Sequence, residues 1–157
     1  MSTWNIRKAG VEDLEEVVRL RRELMRIFGG LTDANAAAWE VATRRYLSTA
    51  LPGGRFHVWL AFMEGKAVAC SGLVPFERPP AANHLSGLEG YILNMYTAPA
   101  WRGRGISRAL MKELMAFARE AGLARLWLHA SEEGRQLYEK LGFAPNPIAL
   151  EWTPEGA

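Results

Sequence analysis

Residues 89–122, EGYILNMYTAPAWRGRGISRALMKELMAFAREAG, change hydrophobic period partway along. The first nine are rich in aromatic and branched side chains and are closed by Pro99, so they read as a strand. Beyond the turn, Ile106, Leu110, Leu114, Phe117 and Ala121 recur at helical spacing, with Gly122 placed as a C-cap. A strand that passes through a two-glycine turn straight into an amphipathic helix commits the chain to a layered α/β architecture. The segments on either side agree. WNIRK (4–8) suits a short strand, and Leu14, Val17, Val18, Leu24, Met25 and Phe28 form one helical stripe that Gly29-Gly30 ends. A second helix is predicted from Asn35 to Ala50, stopped by Pro52-Gly53-Gly54.

Two strands, RFHVWLAFM and AVACSGLV, follow as a hairpin around Glu64-Gly65-Lys66, with Pro75 expected to close it. Residues 76–88 read as a long irregular loop of the kind that often carries function. After the glycine-rich turn and its helix come a strand ARLWLHAS (124–131), a short helix in EEGRQLYEKLGF ending at Gly142, and a last strand PIALEW (147–152). Strand, helix, strand with short connections implies a parallel pair. The expectation is one domain over residues 1–157, a mixed sheet with helices on both faces.

The turn itself, WRGRGIS, is basic. Backbone N–H groups at a helix start have no intrahelical acceptor, and the helix dipole is positive there. Gly103 and Gly105 let an anion approach the backbone, and Arg102, Arg104 and Arg108 add charged donors. Three partners fit: nucleic acid, the phosphate of a small ligand, or solvent alone. A net charge of only +2 argues against a dedicated nucleic-acid binder, as do the mixed signs of Lys112, Glu113, Arg119 and Glu120 on the following helix. The P-loop pattern is absent, and Arg108 stands where the dinucleotide fingerprint needs its third glycine.

At this point YILNMYTAPAWRGRGISRALM resembles the cofactor strand, loop and helix of the GNAT superfamily, the acyl-CoA-dependent N-acyltransferases. The family loop is [QR]-x-x-G-x-[GA]; the chain has Arg102-Gly103-Arg104-Gly105-Ile106-Ser107, with Ser107 departing at the last position. Downstream, SEEGRQLYEKLGF resembles the second signature, with Ser131 where Asn is common, Gly134 where Ala is common, and Tyr138 and Leu141-Gly142-Phe143 kept.

The resemblance implies a mixed, largely antiparallel central sheet with a splayed parallel strand pair, and acetyl-CoA or another acyl-CoA as donor. It places the pyrophosphate on the N–H groups of Arg102, Gly103, Arg104, Gly105, Ile106 and Ser107. It runs the pantetheine arm beside Met95, Tyr96 and Thr97, with Ser131 nearby. It implies that a backbone N–H near Met95 or Tyr96 polarises the thioester, and that a primary amine, on a small molecule or a peptide, attacks directly. Tyr138 falls at the family's general-acid position. Glu89 is the candidate base, directly or through water; Tyr91, which shares its strand face, and His129 are alternatives. Trp39, Tyr46, Asp33 and Glu40 on the first two helices either wall an acceptor site or pack, with packing the better fit to their spacing. A catalytically silent CoA-binding sensor or partner module is the other function this pattern allows.

The histidines are scattered and form no ligand motif, so no metal is expected. Cys70 is the only cysteine, which rules out an internal disulfide. The opening MSTWNIRKAG lacks a signal-peptide core, and no apolar run approaches a membrane span. The expectation is a complete cytoplasmic protein with no nucleic-acid or membrane partner. A homodimer, with Trp152 among the exposed aromatics, is also expected.

Overall fold

A computed structural model describes residues 3–155. Five strands form one sheet in the order β1-β2-β3-β4-β5: β1 (Asn5–Lys8), β2 (His57–Met63), β3 (Lys66–Glu77), β4 (Leu88–Thr97) and β5 (Arg125–Leu128). The first four pair antiparallel, and β4 and β5 pair parallel. Four α-helices complete the chain: α1 (Leu14–Phe28), α2 (Ala36–Ala50), α3 (Ile106–Glu120) and α4 (Glu132–Lys140).

The sheet is buried on both faces, and β2 shows why its sequence is apolar throughout. Val58 and Leu60 point to the face covered by α1 and α2, beside Val17, Val18, Leu20 and Leu47. Trp59, Ala61 and Met63 point to the other, against Ile106, Leu110, Met111 and Leu114 of α3 and Tyr138 of α4. The α1 stripe packs as expected through Leu14, Val17, Val18 and Leu24, but Phe28, at the helix end beyond the sheet, is 68% exposed. On α3, Met111 and Ala118 join the buried face, while Ala121 lies past the helix and is exposed.

Several boundaries differ from the sequence reading. Strand β3 does not stop at Pro75. It continues to Glu77, with Pro75 opposite Gly90, because β2 has already ended at the His57↔Leu73 pair. At that point β3 has a neighbour on one side only, so the missing proline N–H breaks no second ladder. The loop between β3 and β4 is therefore shorter than expected, residues 78–87, and is tied by Arg78 N–H to Gly87 O at 2.8 Å. A Cβ on Gly87 (φ +66°) would lie 2.1 Å from Arg78 O, so that crossing requires glycine. Of the predicted strand 124–131, only Arg125–Leu128 pair, with β4. The predicted strand 147–152 is not a strand: it has the composition of one, but no element pairs with it among the described residues.

Candidate active site

Two irregularities in β4 create the site. In the β3–β4 ladder, Cys70 pairs with Tyr96 and Gly72 with Leu93, so Asn94 and Met95 together oppose Ser71. This is a β-bulge, and Asn94 sits at φ +61°, a conformation that asparagine tolerates better than most residues. The Asn94 side chain is 2% exposed; its Oδ1 accepts a hydrogen bond from Arg21 of α1 at 3.2 Å, and its carbonyl accepts from the Cys70 thiol at 3.1 Å. Burial pushes that thiol up to about 12, which keeps it protonated and inert.

The second irregularity is that the parallel ladder ends early. Glu89, Gly90, Tyr91 and Ile92 pair with Arg125, Leu126, Trp127 and Leu128, and there the two strands part. From Leu93 to Thr97, the β5 side of β4 has no strand beside it among the described residues. Its backbone groups are available to an extended ligand.

The 102–107 turn lies at the same end of β4. Gly103 (φ +73°) and Gly105 (φ +79°) both adopt left-handed conformations, and Gly105 is the N-cap of α3 without side-chain assistance. A Cβ on either glycine would meet nothing within 4 Å, so the glycines are there for backbone conformation rather than for want of space. The first helical hydrogen bond is donated by Ala109 to Gly105 O. The N–H groups of residues 103–108 consequently have no backbone acceptor among the described residues. The arginines brace the turn from outside. Arg102 Nε donates to Thr97 O at 3.0 Å, and Arg104 donates to Ala100 O while its guanidinium lies 4.7 Å from the Trp101 ring centroid. Arg108 is exposed. Ser107 Oγ and Thr97 Oγ1 share a 2.9 Å hydrogen bond that ties the helix start to the strand end.

Opposite this, α4 begins at Ser131, whose Oγ accepts from Gly134 N–H at 3.2 Å as a conventional N-cap. Two helical turns further on, the Tyr138 ring is 9% exposed, with Phe143 edge-on at 6.0 Å. Burial raises its phenol above the usual value near 10. Tyr138 lines a groove of about 1130 Å³ that also contains Tyr91 and His129. The Tyr91 hydroxyl hydrogen-bonds His129 Nδ1, and His129 Nε2 contacts the Glu151 carboxylate, so three side chains form a continuous chain at the mouth of the parted strands.

Glu89 lies at the other end of the paired segment, roughly 13 Å along β4 from Leu93 at the usual strand rise. It is 2% exposed. Arg78 and the Trp127 indole donate to its Oε2 at 3.0 and 3.1 Å, and Arg125 and His84 approach Oε1 at 3.7 Å each. Burial alone would raise its pKa, but the Arg78 and Trp127 hydrogen bonds and the two guanidinium charges outweigh it, and the net shift is downward. That environment holds a charge in place and weakens its hold on a proton.

The α1–α2 residues weighed as an acceptor wall are committed elsewhere. Trp39 packs in the core, Glu40 pairs with Arg22 and Arg44, Asp33 reaches Arg26, and Tyr46 stacks near Phe56. Sequence reasoning missed Asn94, Arg21 and Glu151. An asparagine inside an apolar strand is the signal for the first; nothing local marks the other two. Among the described residues no cluster of His, Cys, Asp or Glu is placed to hold a metal ion, and no helix is long and apolar enough to cross a membrane.

Residues 12–143 match the family model of the acetyltransferase (GNAT) family. The chain belongs to that family. As a GNAT acetyltransferase it is similar over nearly its whole length to a curated relative and to solved structures. YjgM, an uncharacterized N-acetyltransferase of Escherichia coli K12, is 29% identical over 155 residues, covering 94% of this chain and 86% of the other. A predicted acetyltransferase from Clostridium acetobutylicum, solved with acetyl-CoA, superposes with a TM-score of 0.86 at 28% identity, covering 96% of each chain. A GCN5-related N-acetyltransferase from Ralstonia eutropha gives 0.83 at 34% identity, covering 96% of this chain and 99% of the other. The five-stranded mixed sheet with its parallel pair is thus the GNAT fold expected from the two sequence signatures.

Proposed function

We propose that this chain transfers an acetyl group from acetyl-CoA to a primary amine by direct attack within a ternary complex. The observation that carries the reading is the coincidence, at one end of β4, of an unpaired strand edge and a turn of unbonded N–H groups. The similar Clostridium protein was solved with acetyl-CoA, and this chain has the donor groups for the same ligand. The N–H groups of Gly103 to Ser107 suit a pyrophosphate, and the free edge of Met95, Tyr96 and Thr97 suits the amide-bearing pantetheine arm. Bound acetyl-CoA supplies an activated thioester carbonyl.

The chain's own residues do the rest. The bulge at Asn94 turns the backbone around Met95 out of the regular ladder, which gives a fixed N–H donor for the developing oxyanion. Tyr138, kept neutral by burial, donates its proton to the departing thiolate. The attacking amine loses its proton through Tyr91 and His129, whose hydrogen bond lies at the mouth of the groove. We favour this pair over Glu89, whose carboxylate is already engaged by Arg78 and Trp127. Ser131 contributes by capping α4 and so fixing where Tyr138 starts.

The reading extends to a single cytoplasmic domain that works as a homodimer, supported by the large apolar surface exposed beyond α4. The test is release of free CoA thiol from acetyl-CoA with a panel of amines and amino-terminal peptides. Binding of acetyl-CoA without thiol release for any acceptor would overturn the transfer reading and leave a silent binding module.

A further inference from the structure

Arg125 lines two hollows at once. One is the large groove that holds Tyr91 and His129. The other is a cleft of about 260 Å³ beneath the 78–87 loop, shared with Arg78, Asn83, His84 and Glu89. That loop is pinned: Ala81 and His84 exchange backbone hydrogen bonds at 3.1 and 3.0 Å, inside the tie between Arg78 and Gly87. The cleft holds two guanidinium groups and one carboxylate, a surplus of positive charge. The carboxylate is closed to a ligand, because Glu89 is buried and its Oε2 already accepts from Arg78 and Trp127. The guanidinium groups are open, and both are half-exposed. Arg78 commits one nitrogen to Glu89. Arg125 commits none: its Nε stands 3.7 Å from Glu89 Oε1, beyond hydrogen-bond range, and its guanidinium lies over the Trp127 ring at 4.6 Å from the centroid. That contact fixes the guanidinium and leaves the donors around its edge free. Glu89 therefore works as a buried anchor. It holds Arg78 and Trp127 in place, and Trp127 in turn holds Arg125.

We propose that this cleft takes an anionic group, a carboxylate or a phosphate, carried by the acyl acceptor at a set distance from its amine. This names an acceptor class for the acetyl transfer proposed above and rests on that reading. The strand register sets the distance. Tyr91 pairs with Trp127 and Glu89 with Arg125, so the Tyr91–His129 pair and the cleft share one face of the β4–β5 ladder. Two residues separate Tyr91 from Glu89 and four separate His129 from Arg125. At the usual strand rise the span is on the order of 7–13 Å. An α-amino acid carries its amine and carboxylate on one carbon and is too short. An extended peptide of about two to four residues spans it, as does an aminoalkyl phosphate of similar length. The flat fork of Arg125 suits either anion, and Arg78 adds a second charge beside it. A ligand so held lies along the groove with its amine at the Tyr91–His129 pair.

The test compares matched acceptors in the thiol-release assay: triglycine against triglycinamide, and aminohexyl phosphate against aminohexanol. In at least one pair the anionic member should have the higher kcat/KM by at least about tenfold, chiefly through KM. The pair that shows the preference tells carboxylate from phosphate. Arg125→Gln removes the charge and no protein hydrogen bond among the described residues, and should bring that ratio close to one. The ratio is read on one sample, so any loss of folded protein cancels from it. A wild-type ratio near one in both pairs overturns the proposal, and so does a preference that survives Arg125→Gln. Calorimetric titration of the same four compounds in the presence of CoA separates this proposal from the transfer reading. Thiol release without an anion preference keeps acetyl transfer and loses the cleft. No thiol release with any amine, together with tighter binding of an anionic member that Arg125→Gln abolishes, keeps the cleft and loses transfer; no release and equal binding lose both.

Discussion

Replacing Tyr138 with phenylalanine removes one oxygen atom from a site where little else depends on it. The ring belongs to the core cluster that holds Ile106 and Leu110, with Phe143 edge-on to it, and phenylalanine fills the same volume. The hydroxyl is not a buried atom left without a partner, and it bonds no other side chain or backbone group among the described residues, so its removal strands no donor or acceptor. Stability should change by no more than about 0.5 kcal/mol. Chemistry should change far more. Without a general acid the thiolate must leave unprotonated or wait for water, and positioned acid catalysis contributes roughly 10²–10⁴-fold. At 1.36 kcal/mol per decade this is about 3–5 kcal/mol of barrier.

The assay is thiol release at saturating acetyl-CoA and amine, alongside a thermal melt. The expected result is a fall in kcat of at least about a hundredfold, with KM for acetyl-CoA and the melting temperature essentially unmoved. The pH profile supplies an independent check. An acid works while protonated, and burial moves the Tyr138 phenol upward from 10, so its acid form persists through the neutral and mildly alkaline range. Any alkaline limb below pH 10 in the wild type belongs to another group and should persist in the variant. An unchanged kcat would refute the assignment, as would a rate loss matched by loss of the folded state.

Three further outcomes follow from the geometry. Gly105→Ala places a side chain at φ +79° with no clash, so its cost is conformational, about 1–2 kcal/mol; KM for acetyl-CoA should rise roughly five- to thirtyfold at nearly constant kcat, measured from initial rates. Glu89→Gln removes the charge from contacts made by half-exposed arginines and should lower stability in urea by about 1–3 kcal/mol, while the pH–rate profile keeps its shape; disappearance of the acid limb would instead identify Glu89 as the base. His57, stacked on Phe117 at 4.5 Å and near Lys8, has its pKa lowered by burial, then by that lysine, to about 4. Its folded value is below the unfolded 6.5, so the stability it contributes is complete above about pH 6.5 and declines as pH falls toward 4; His57→Gln should flatten that part of the stability–pH curve.

The parts of this fold that were legible in sequence are those set by local periodicity and turn chemistry. The two helical stripes, the hairpin at Gly65, and the Gly103–Gly105 entry into α3 follow from residues within one or two turns of each other. Tyr138 was found because a spaced motif fixes it relative to Leu141-Gly142-Phe143. The features that were not legible depend on pairing across the chain. Glu89 looks in sequence like a free carboxylate at a strand start, and only the approach of Arg78 from one side and Trp127 from the other turns it into a buried, fully bonded charge. Asn94 looks like a polar interruption in β4, and only its position opposite Ser71 shows it to be the bulge that breaks the ladder.

The segment PIALEW makes the limit clearest. Its alternation predicts a strand, yet the single chain shows none. Alternation specifies which face is apolar, but a strand exists only where another edge accepts its hydrogen bonds. Among the described residues no segment pairs with the outer edge of β5. Local pattern and single-chain structure therefore conflict at this point alone among the predicted strands.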